Sequence, residues 1–341
     1  MAYVQGDVIA ASDYNDSVGT PTGTPSNSNK ALQPFVSAVE ATNTVAGIYG
    51  VGYGERGYGQ TAQTLPNKST GQTVTSAEWT ALRAALEKCA NHQGTAITNL
   101  VPATSLETGD TVFAHEGTDN PNDSLTDLIS SIDTNRLNTD SGASMSLTSN
   151  VQTSTRATNW SGTITMTFRY QWSTADDARH FFNSGGELRV RLSQSPAIIA
   201  QDADWASVLS TGVGTYAFKA QTVTITGTQT ASLTANTGFY DLTNSDTYTS
   251  SFNGVNIGSG AYAANDVLID VRVPATGTGV LGSSNGGPGN TVDIRVTLQD
   301  QHSNANFDQV SAGTAAATDV YRATVELAGI AAPTTSVLVG F

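Results

Sequence analysis

The stretch Ser-Gly-Thr-Ile-Thr-Met-Thr-Phe-Arg-Tyr-Gln-Trp, residues 161–172, alternates polar and apolar side chains over most of its length. Successive side chains of a β-strand point to opposite faces, so a period of two is typical of a strand with one buried face. The stretch therefore predicts a half-buried strand. The apolar residues expected on its buried face are Ile164, Met166, Phe168, Tyr170 and Trp172.

A short helix is predicted directly after this strand, within Ser173–Gly186. It has a Ser/Thr cap, the early acids Asp176 and Asp177, the later basic pair Arg179 and His180, and a glycine terminator. Neighbouring residues on a helix point in different directions. We therefore interpret the two acids as capping charges rather than as a catalytic carboxylate pair. The residues expected to anchor this helix in the core are Phe181 and Phe182.

The period-two pattern continues to the end of the sequence from about residue 141. Many strands at short spacing, separated by turn-rich gaps such as Thr276–Asn290, are typical of an antiparallel sandwich. A second short helix is predicted at Asp204–Leu209. We expect residues 141–341 to form an antiparallel β-sandwich with short inserted helices. The other predicted strands are Glu187–Ser193, Tyr216–Gly227, Thr247–Val255, Val267–Val273, Val292–Gln299 and Val320–Ala328.

Residues 1–140 follow a helical pattern and contain an internal repeat. Gly6–Asn15 and Gly71–Thr80 match by residue type, each with a glycine, a β-branched pair, small residues, an acid and an aromatic. Apolar residues recur at helical spacing over Lys30–Val45, Ala77–His92 and Ser124–Leu137. The predicted fold class is thus α+β, with a small helical region at 1–140 that we interpret as an attachment region. The apolar stripe of the middle helix comprises Trp79, Leu82, Leu86 and Cys89 or Ala90.

Glycine occupies nearly every second position between Tyr49 and Gly59. The spacing Gly50-x-Gly52-x-Gly54-x-x-Gly57 contains the letters of a dinucleotide-binding fingerprint. That fingerprint requires a helix to open directly after it, and the residues that follow here do not begin one. We interpret the run as a compact loop in which backbone approaches backbone.

Metal and cofactor sites are not predicted. Cys89 and His92 share a helix face, but two ligands do not close a metal site. The acid-rich segment 119–127 lacks the glycine and the final glutamate of a calcium loop, and is interpreted as a solvated turn and helix cap. Serines are too abundant to single out a nucleophile, and no Gly-x-Ser-x-Gly elbow occurs. We therefore expect no enzymatic activity.

The composition limits which classes of protein the chain can belong to. Serine and threonine make up about a quarter of the 341 residues, and charged residues 13%, about half the usual ~25%. The net charge of −14 opposes binding to nucleic acid. No apolar run reaches the ~20 residues that span a bilayer. A single cysteine, and an opening without a basic segment followed by an apolar one, predict assembly in a reducing cytoplasm without a secretory signal.

Two sequence features carry a resemblance to a known group of proteins. The segment Gly6–Asn15 (GDVIAASDYN) looks like an opening that is common in virion structural proteins of tailed bacteriophages. The run 50–60 (GVGYGERGYGQ) together with 172–189 (WSTADDARHFFNSGGELR) is similar to a family of uncharacterised structural proteins of marine and cyanobacterial phages. The resemblance implies a virion component of the tail, baseplate, neck or fibres, and it transfers no catalytic residue.

The expected partners are further copies of the chain in a homo-oligomer and other virion proteins. Three alternatives stay open: a capsid decoration protein, an enzyme such as a polysaccharide depolymerase, and a receptor-binding protein for host-surface glycans. In the last case exposed tyrosine rings would stack on sugars, although tyrosines in strands are more often packed. The candidate stacking residues are Tyr216, Tyr240, Tyr248 and Tyr262.

Overall fold

The computed structural model describes residues 48–52, 54–60, 75–96, 131–140, 145–147, 151–275, 286–302, 309–324 and 326–341. These residues form two antiparallel sheets and several short helices, so the predicted α+β sandwich is correct. The helices are α1 (Ser76–Gln93), α2 (Ala175–Asn183) and α3 (Ala200–Ser207), and α3 continues into a wider helical turn at Val208–Val213. The strands are β1 (Met145–Leu147), β2 (Thr153–Thr155), β3 (Gly162–Gln171), β4 (Glu187–Gln194), β5 (Thr215–Phe218), β6 (Val223–Ile225), β7 (Thr249–Gly254), β8 (Asp266–Arg272), β9 (Thr291–Asp300), β10 (Thr314–Ala323) and β11 (Thr334–Val339).

The first sheet has the strand order β1-β10-β4-β5-β6, and β2 lies next to β1 along the same side of β10. The second sheet has the order β11-β3-β9-β8-β7. All of these pairings are antiparallel. Sequence neighbours are often separated in the sheets, since β3 pairs with β9 and β4 pairs with β10.

The inward faces of the two sheets form the core, as the period-two pattern predicts. All five apolar residues predicted from the 161–172 stretch are buried, and β3 pairs with β9 along its whole length, from Gly162 opposite Asp300 to Gln171 opposite Thr291. Complete burial of one large apolar side chain stabilises a fold by about 1.5–3 kcal/mol. The inward residues of β9 are Val292, Ile294, Val296 and Leu298.

Helix α2 contributes buried aromatic residues to the core, and its predicted cap is confirmed. The Thr174 hydroxyl accepts a hydrogen bond from the Asp177 N–H at 3.0 Å, and the Asp177 carboxylate accepts one from the Thr174 N–H at 3.1 Å. Phe181 and Phe182 are completely buried, as predicted. The Phe182 ring stacks on Phe239, with centroids 4.3 Å apart. Such aromatic pairs add about 0.5–1.5 kcal/mol beyond the area they bury.

The predicted N-terminal helices are described in part. Helix α1 confirms the Ala77–His92 prediction within one residue at each end, and Leu86, Cys89 and Ala90 of its stripe are buried. Residues 131–134 are helical, as the prediction over Ser124–Leu137 requires. The Lys30–Val45 helix, the first repeat copy, segment 119–127 and the side chains of Trp79 and Leu82 lie outside the described residues.

The described parts of 1–140 share one core with the sandwich, because Ile48, Tyr58, Leu86 and Ile132 belong to the same cluster of buried residues as the inward faces of the sheets. The division of the chain at residue 140 stays a prediction.

Two sequence predictions need correction in the first sheet and its connections. Tyr216–Gly227 is not one strand but the hairpin β5–β6, turned at the hydrogen bond from the Lys219 N–H to the Thr222 carbonyl at 3.0 Å. The helix predicted at Asp204–Leu209 begins earlier, at Ala200. It starts there because the Asp202 carboxylate accepts hydrogen bonds from the two N–H groups of residues 198 and 199.

The last strands also differ from their predictions. The strand predicted at Val320–Ala328 is β10 and runs from Thr314 to Ala323. Its first half contains three consecutive alanines, which have low intrinsic strand preference, and pairing with β4 overrides that preference. The short strands β1 and β2 and the edge strand β11 were not predicted.

Candidate functional site

The glycine-rich segment of residues 48–52 and 54–60, here called the glycine loop, is folded back on itself. The Gly59 N–H donates to the Gly50 carbonyl at 2.8 Å. Gly52 and Gly57 have left-handed φ angles of 65° and 99°. A Cβ atom on Gly52 would lie 2.0 Å from the Arg56 carbonyl oxygen, which only glycine avoids. Backbone therefore approaches backbone, as predicted, and residues 58–60 are not helical.

Arg179 of α2 lies in the centre of the glycine loop and is 0% exposed. Its guanidinium donates to the carbonyl oxygens of Val51, of Gly54 at 3.3 Å and of Arg56 at 2.5 Å. It also donates to the Asp176 carboxylate at 3.1 Å. A buried charge is tolerated only when it is paired and hydrogen-bonded, and this guanidinium is both. The loop therefore encloses the cation with its own backbone.

Asn183, the last residue of α2, and Tyr240, which follows the β5–β6 hairpin, bind the same loop. The Asn183 side-chain N–H₂ donates to the carbonyls of Gly54 at 3.1 Å and Gly57 at 3.0 Å. The Tyr240 hydroxyl lies 2.7 Å from the Gly54 oxygen and 2.6 Å from the Asn183 side-chain oxygen. Burial raises the pKa of Tyr240, so this hydroxyl keeps its proton.

His180 packs against both ends of the glycine loop. Its Nε2 atom lies 2.8 Å from the Val51 carbonyl oxygen and 3.0 Å from an Arg179 nitrogen. A Cβ atom on Gly59 would lie 2.4 Å from the His180 Nδ1 atom. Burial, and next the Arg179 charge, lower the pKa of His180. The imidazole is therefore neutral at pH 7, because a second positive charge beside Arg179 is disfavoured.

The glycine loop is also bound to the helices that precede the sandwich. Arg56 and Asp133 form a two-point ion pair at 2.6 and 2.9 Å, and Arg136 pairs with Glu55. The Tyr58 hydroxyl donates to the Arg136 carbonyl at 2.7 Å and accepts a hydrogen bond from the Gln93 side chain of α1 at 2.8 Å.

Two further contacts connect the loop to the sandwich. The Gln60 side-chain amide donates to the Ala328 carbonyl at 3.0 Å and accepts from the Ala328 N–H at 2.9 Å. The Gln221 side chain donates to Glu55 at 2.7 Å. The glycine loop thus contacts the helices and the sandwich at the same time, and its position depends on both.

A cleft of about 570 Å³ lies beside this junction, between α1, α2 and the β5–β6 turn. The charged pair within it is Glu187 with Lys219, at 2.8 Å. Burial favours the neutral form of Glu187, but hydrogen bonds from Lys219 and Arg189 outweigh it and lower the pKa of this carboxyl. The carboxylate is committed to ion pairs, so it is a poor general acid or base. Polar residues of the lining include Gln93, Asn138, Asp140 and Gln221.

The four candidate sugar-stacking tyrosines lie in different surroundings. Tyr216 is completely buried, with its hydroxyl 2.8 Å from the Ser251 hydroxyl. Tyr240 binds the glycine loop as described above. The guanidinium groups of Arg272 and Arg295 lie over the Tyr248 ring, at 4.4 and 4.1 Å. The fourth ring, of Tyr262, is partly exposed and packs edge-on against His302 with centroids 5.1 Å apart.

Cys89 and His92 are both buried on α1. Burial raises the pKa of Cys89 to about 12, which keeps it in the thiol form rather than the thiolate that binds metals. Within the ranges that the structure describes, no three histidine, cysteine, aspartate or glutamate side chains are grouped as a metal site. The same ranges contain no helix long and apolar enough to cross a membrane.

Comparisons of the chain with protein-family models, with curated proteins and with solved structures give no match.

Sequence reasoning identified the glycine loop and α2 separately and missed their contact. One local feature of the sequence indicated a shared binding face: Arg179 and Asn183 are four residues apart, and so lie on one face of α2. Gln60 and Tyr240 carried no comparable signal. Their partners lie 268 and 186 positions away, where no periodic pattern connects them.

Proposed function

We propose that this chain is a structural subunit of a tailed-bacteriophage particle, in the tail, baseplate, neck or fibres. In this proposal the chain assembles in the host cytoplasm, contacts other copies of itself and other virion proteins, and catalyses no reaction. The observation that carries the proposal is the contact between the glycine loop and α2. The two segments with the more specific resemblance to phage structural proteins, 50–60 and 172–189, are the segments that meet around Arg179.

The chemistry of this contact supports a mechanical role. Arg179 binds backbone carbonyls and one carboxylate in a buried position, so it has no access to a substrate. The same loop binds α1 through Tyr58 and the sandwich through Gln60. Such an arrangement fixes the helices relative to the sheets without a disulfide bond, which suits a subunit assembled in a reducing compartment.

Mass spectrometry of purified particles tests the proposal. Particles of the phage that encodes the chain should contain its peptides in a fixed ratio to other structural proteins after density-gradient purification. Recovery of the chain from the soluble fraction of the lysate alone would contradict the proposal. Antibody labelling in electron micrographs would then give its place, including the capsid surface that a decoration protein would occupy.

The glycan-binding alternative is tested at Tyr262, whose ring is partly exposed and packs edge-on against His302. A glycan array separates the two functions. A structural subunit should bind no glycan selectively, whereas a receptor-binding protein should show selective binding that a Tyr262→Ala variant loses.

A further inference from the structure

Among the described residues, the two sheets have four edges, and three of these edges are short or covered. The β6 edge has three residues, and the edge beside β10 consists of β1 and β2, with three residues each. The β7 edge is covered, because Leu233 forms a bridge with Phe252 and the Thr234 N–H donates to the Ser251 carbonyl at 3.0 Å. Short and covered edges are the usual protection against pairing with another chain.

The fourth edge, β11, differs from the other three. It is six residues long and pairs with β3 along one side, and among the described residues no backbone hydrogen bond reaches its other side. Leu338 and Val339 near its end are 44% and 50% exposed. One protective feature is present, a bulge between Val337 and Val339, and it leaves Thr334–Val337 in regular register with β3.

The charge distribution identifies the partner that this edge suits. The chain carries a net charge of −14, yet the sequence from Leu327 to Phe341 has no ionisable side chain. Two acidic molecules repel each other least where neither carries charge. A partner of opposite charge would gain nothing there, whereas a second copy of the same strand would avoid the repulsion.

We propose that β11 pairs with β11 of a second copy of this chain, antiparallel and around a twofold axis near Ser336. The two five-stranded sheets then form one continuous ten-stranded sheet. A twofold contact uses the same surface on both molecules, so one uncharged edge satisfies both sides. The unpaired N–H and C=O groups of each edge gain partners, and the exposed side chains near the strand ends are covered.

This inference rests on the proposed function for its biological setting, in which copies contact one another, but its test needs only the purified full-length chain. Sedimentation equilibrium should give the mass of two chains. Ser336→Lys should raise the dimer Kd by about tenfold, because it places two like charges opposite each other at the twofold axis. The matched control is Val255→Lys, since Val255 is 47% exposed on the turn after β7 and should leave the Kd unchanged. Near-ultraviolet circular dichroism checks that both variants fold.

Cross-linking tests the twofold geometry. Cys89 is buried, so Ser336→Cys introduces the readily accessible thiol of the chain. Opposed residues of an antiparallel pair have Cα atoms about 4.5–5.5 Å apart, within the range of a disulfide. Mild oxidation should therefore link Ser336→Cys into covalent dimers and leave Val255→Cys monomeric.

A monomeric wild-type chain, a trimer, or equal effects of the two lysine variants would overturn the inference. A dimer without the cross-link would overturn the pairing around Ser336. These results test the contact between copies, whereas membership of the particle fails separately, if the chain is absent from purified particles.

Discussion

The Gln60 side-chain amide forms two hydrogen bonds with the backbone of Ala328, 268 positions further along the chain, one with the carbonyl and one with the N–H. A backbone in a sheet offers the same donor and acceptor pair to its neighbour. The Gln60 side chain therefore pairs with the Ala328 backbone as a neighbouring strand would. These two hydrogen bonds fix the end of the glycine loop against the segment that leads to β11.

Gln60→Glu should lower the free energy of unfolding by about 1–3 kcal/mol, because a carboxylate cannot donate to the carbonyls of Ala328 and Tyr58 and would place a charge at a buried position. Urea unfolding followed by tryptophan fluorescence measures the loss. The control is Gln309→Glu at an exposed position, which should change stability by less than about 0.5 kcal/mol. Equal losses in the two variants would show that the Ala328 contact is not the cause.

Arg179→Met should destabilise the chain by about 3–5 kcal/mol, since it keeps the volume but leaves the carbonyls of the glycine loop without their donor. Arg191→Met is the matched control. The Arg191 side chain is 54% exposed and pairs with Asp319. Arg191 is half exposed and binds a single carboxylate, so its loss should cost less than the loss of Arg179, although it leaves the buried Asp319 without this partner. Thermal and urea unfolding compare the two variants, and similar losses would contradict a special role for the buried guanidinium.

The stability of the glycine loop should fall when the pH drops below about 6.5. Burial and the Arg179 charge lower the pKa of His180 in the folded chain, while the Val51 carbonyl and the carboxylates of Asp176 and Asp177 act in the opposite direction. The unfolded chain therefore binds the proton more readily than the folded chain. The contribution of His180 is fully present above the unfolded pKa of ~6.5 and is lost as the pH falls through the lowered folded value.

Hydrogen exchange measures this effect at the Gly59 and Gln60 amides, whose N–H groups donate within the loop. After correction for intrinsic exchange rates, their protection should decrease between pH 7 and pH 5. His180→Gln should remove most of this dependence, whereas His302→Gln, outside the loop, should preserve it. The same pH dependence in wild type and His180→Gln would assign the effect to other groups.

The Cys89 thiol should react slowly with Ellman's reagent in the native chain. Burial raises its pKa to about 12 and outweighs the nearby Lys88 charge, so almost no thiolate is present at neutral pH. One equivalent should react rapidly once guanidinium chloride unfolds the chain. Rapid labelling without denaturant would mean that α1 opens readily or that the thiol is accessible.

The sequence predicted those elements whose pattern is local. β3, β4, β8 and β9 alternate apolar and polar residues, because each buries one face against the opposite sheet. Helix α2 was predicted with its cap, since Thr174 and Asp177 interact within one turn.

Predictions failed where distant partners decide the structure. The β5–β6 turn at Lys219–Thr222 lacks glycine, proline and asparagine, so nothing local marks it. The alanines at the start of β10 extend because β4 lies beside them. The position of Arg179 inside the glycine loop depends on residues more than 120 positions earlier. No periodic pattern in the sequence indicates a contact over that distance.

The hydrogen bonds between Gln60 and Ala328 can form only after both residues have been synthesised. Ribosomes add about 5–20 residues per second, so residue 328 emerges roughly 13–54 s after residue 60. During that interval the Gln60 amide has no Ala328 to bind, and this contact stays unmade. The contact therefore forms only once synthesis has passed Ala328, and a chain that terminates before Ala328 would lack it.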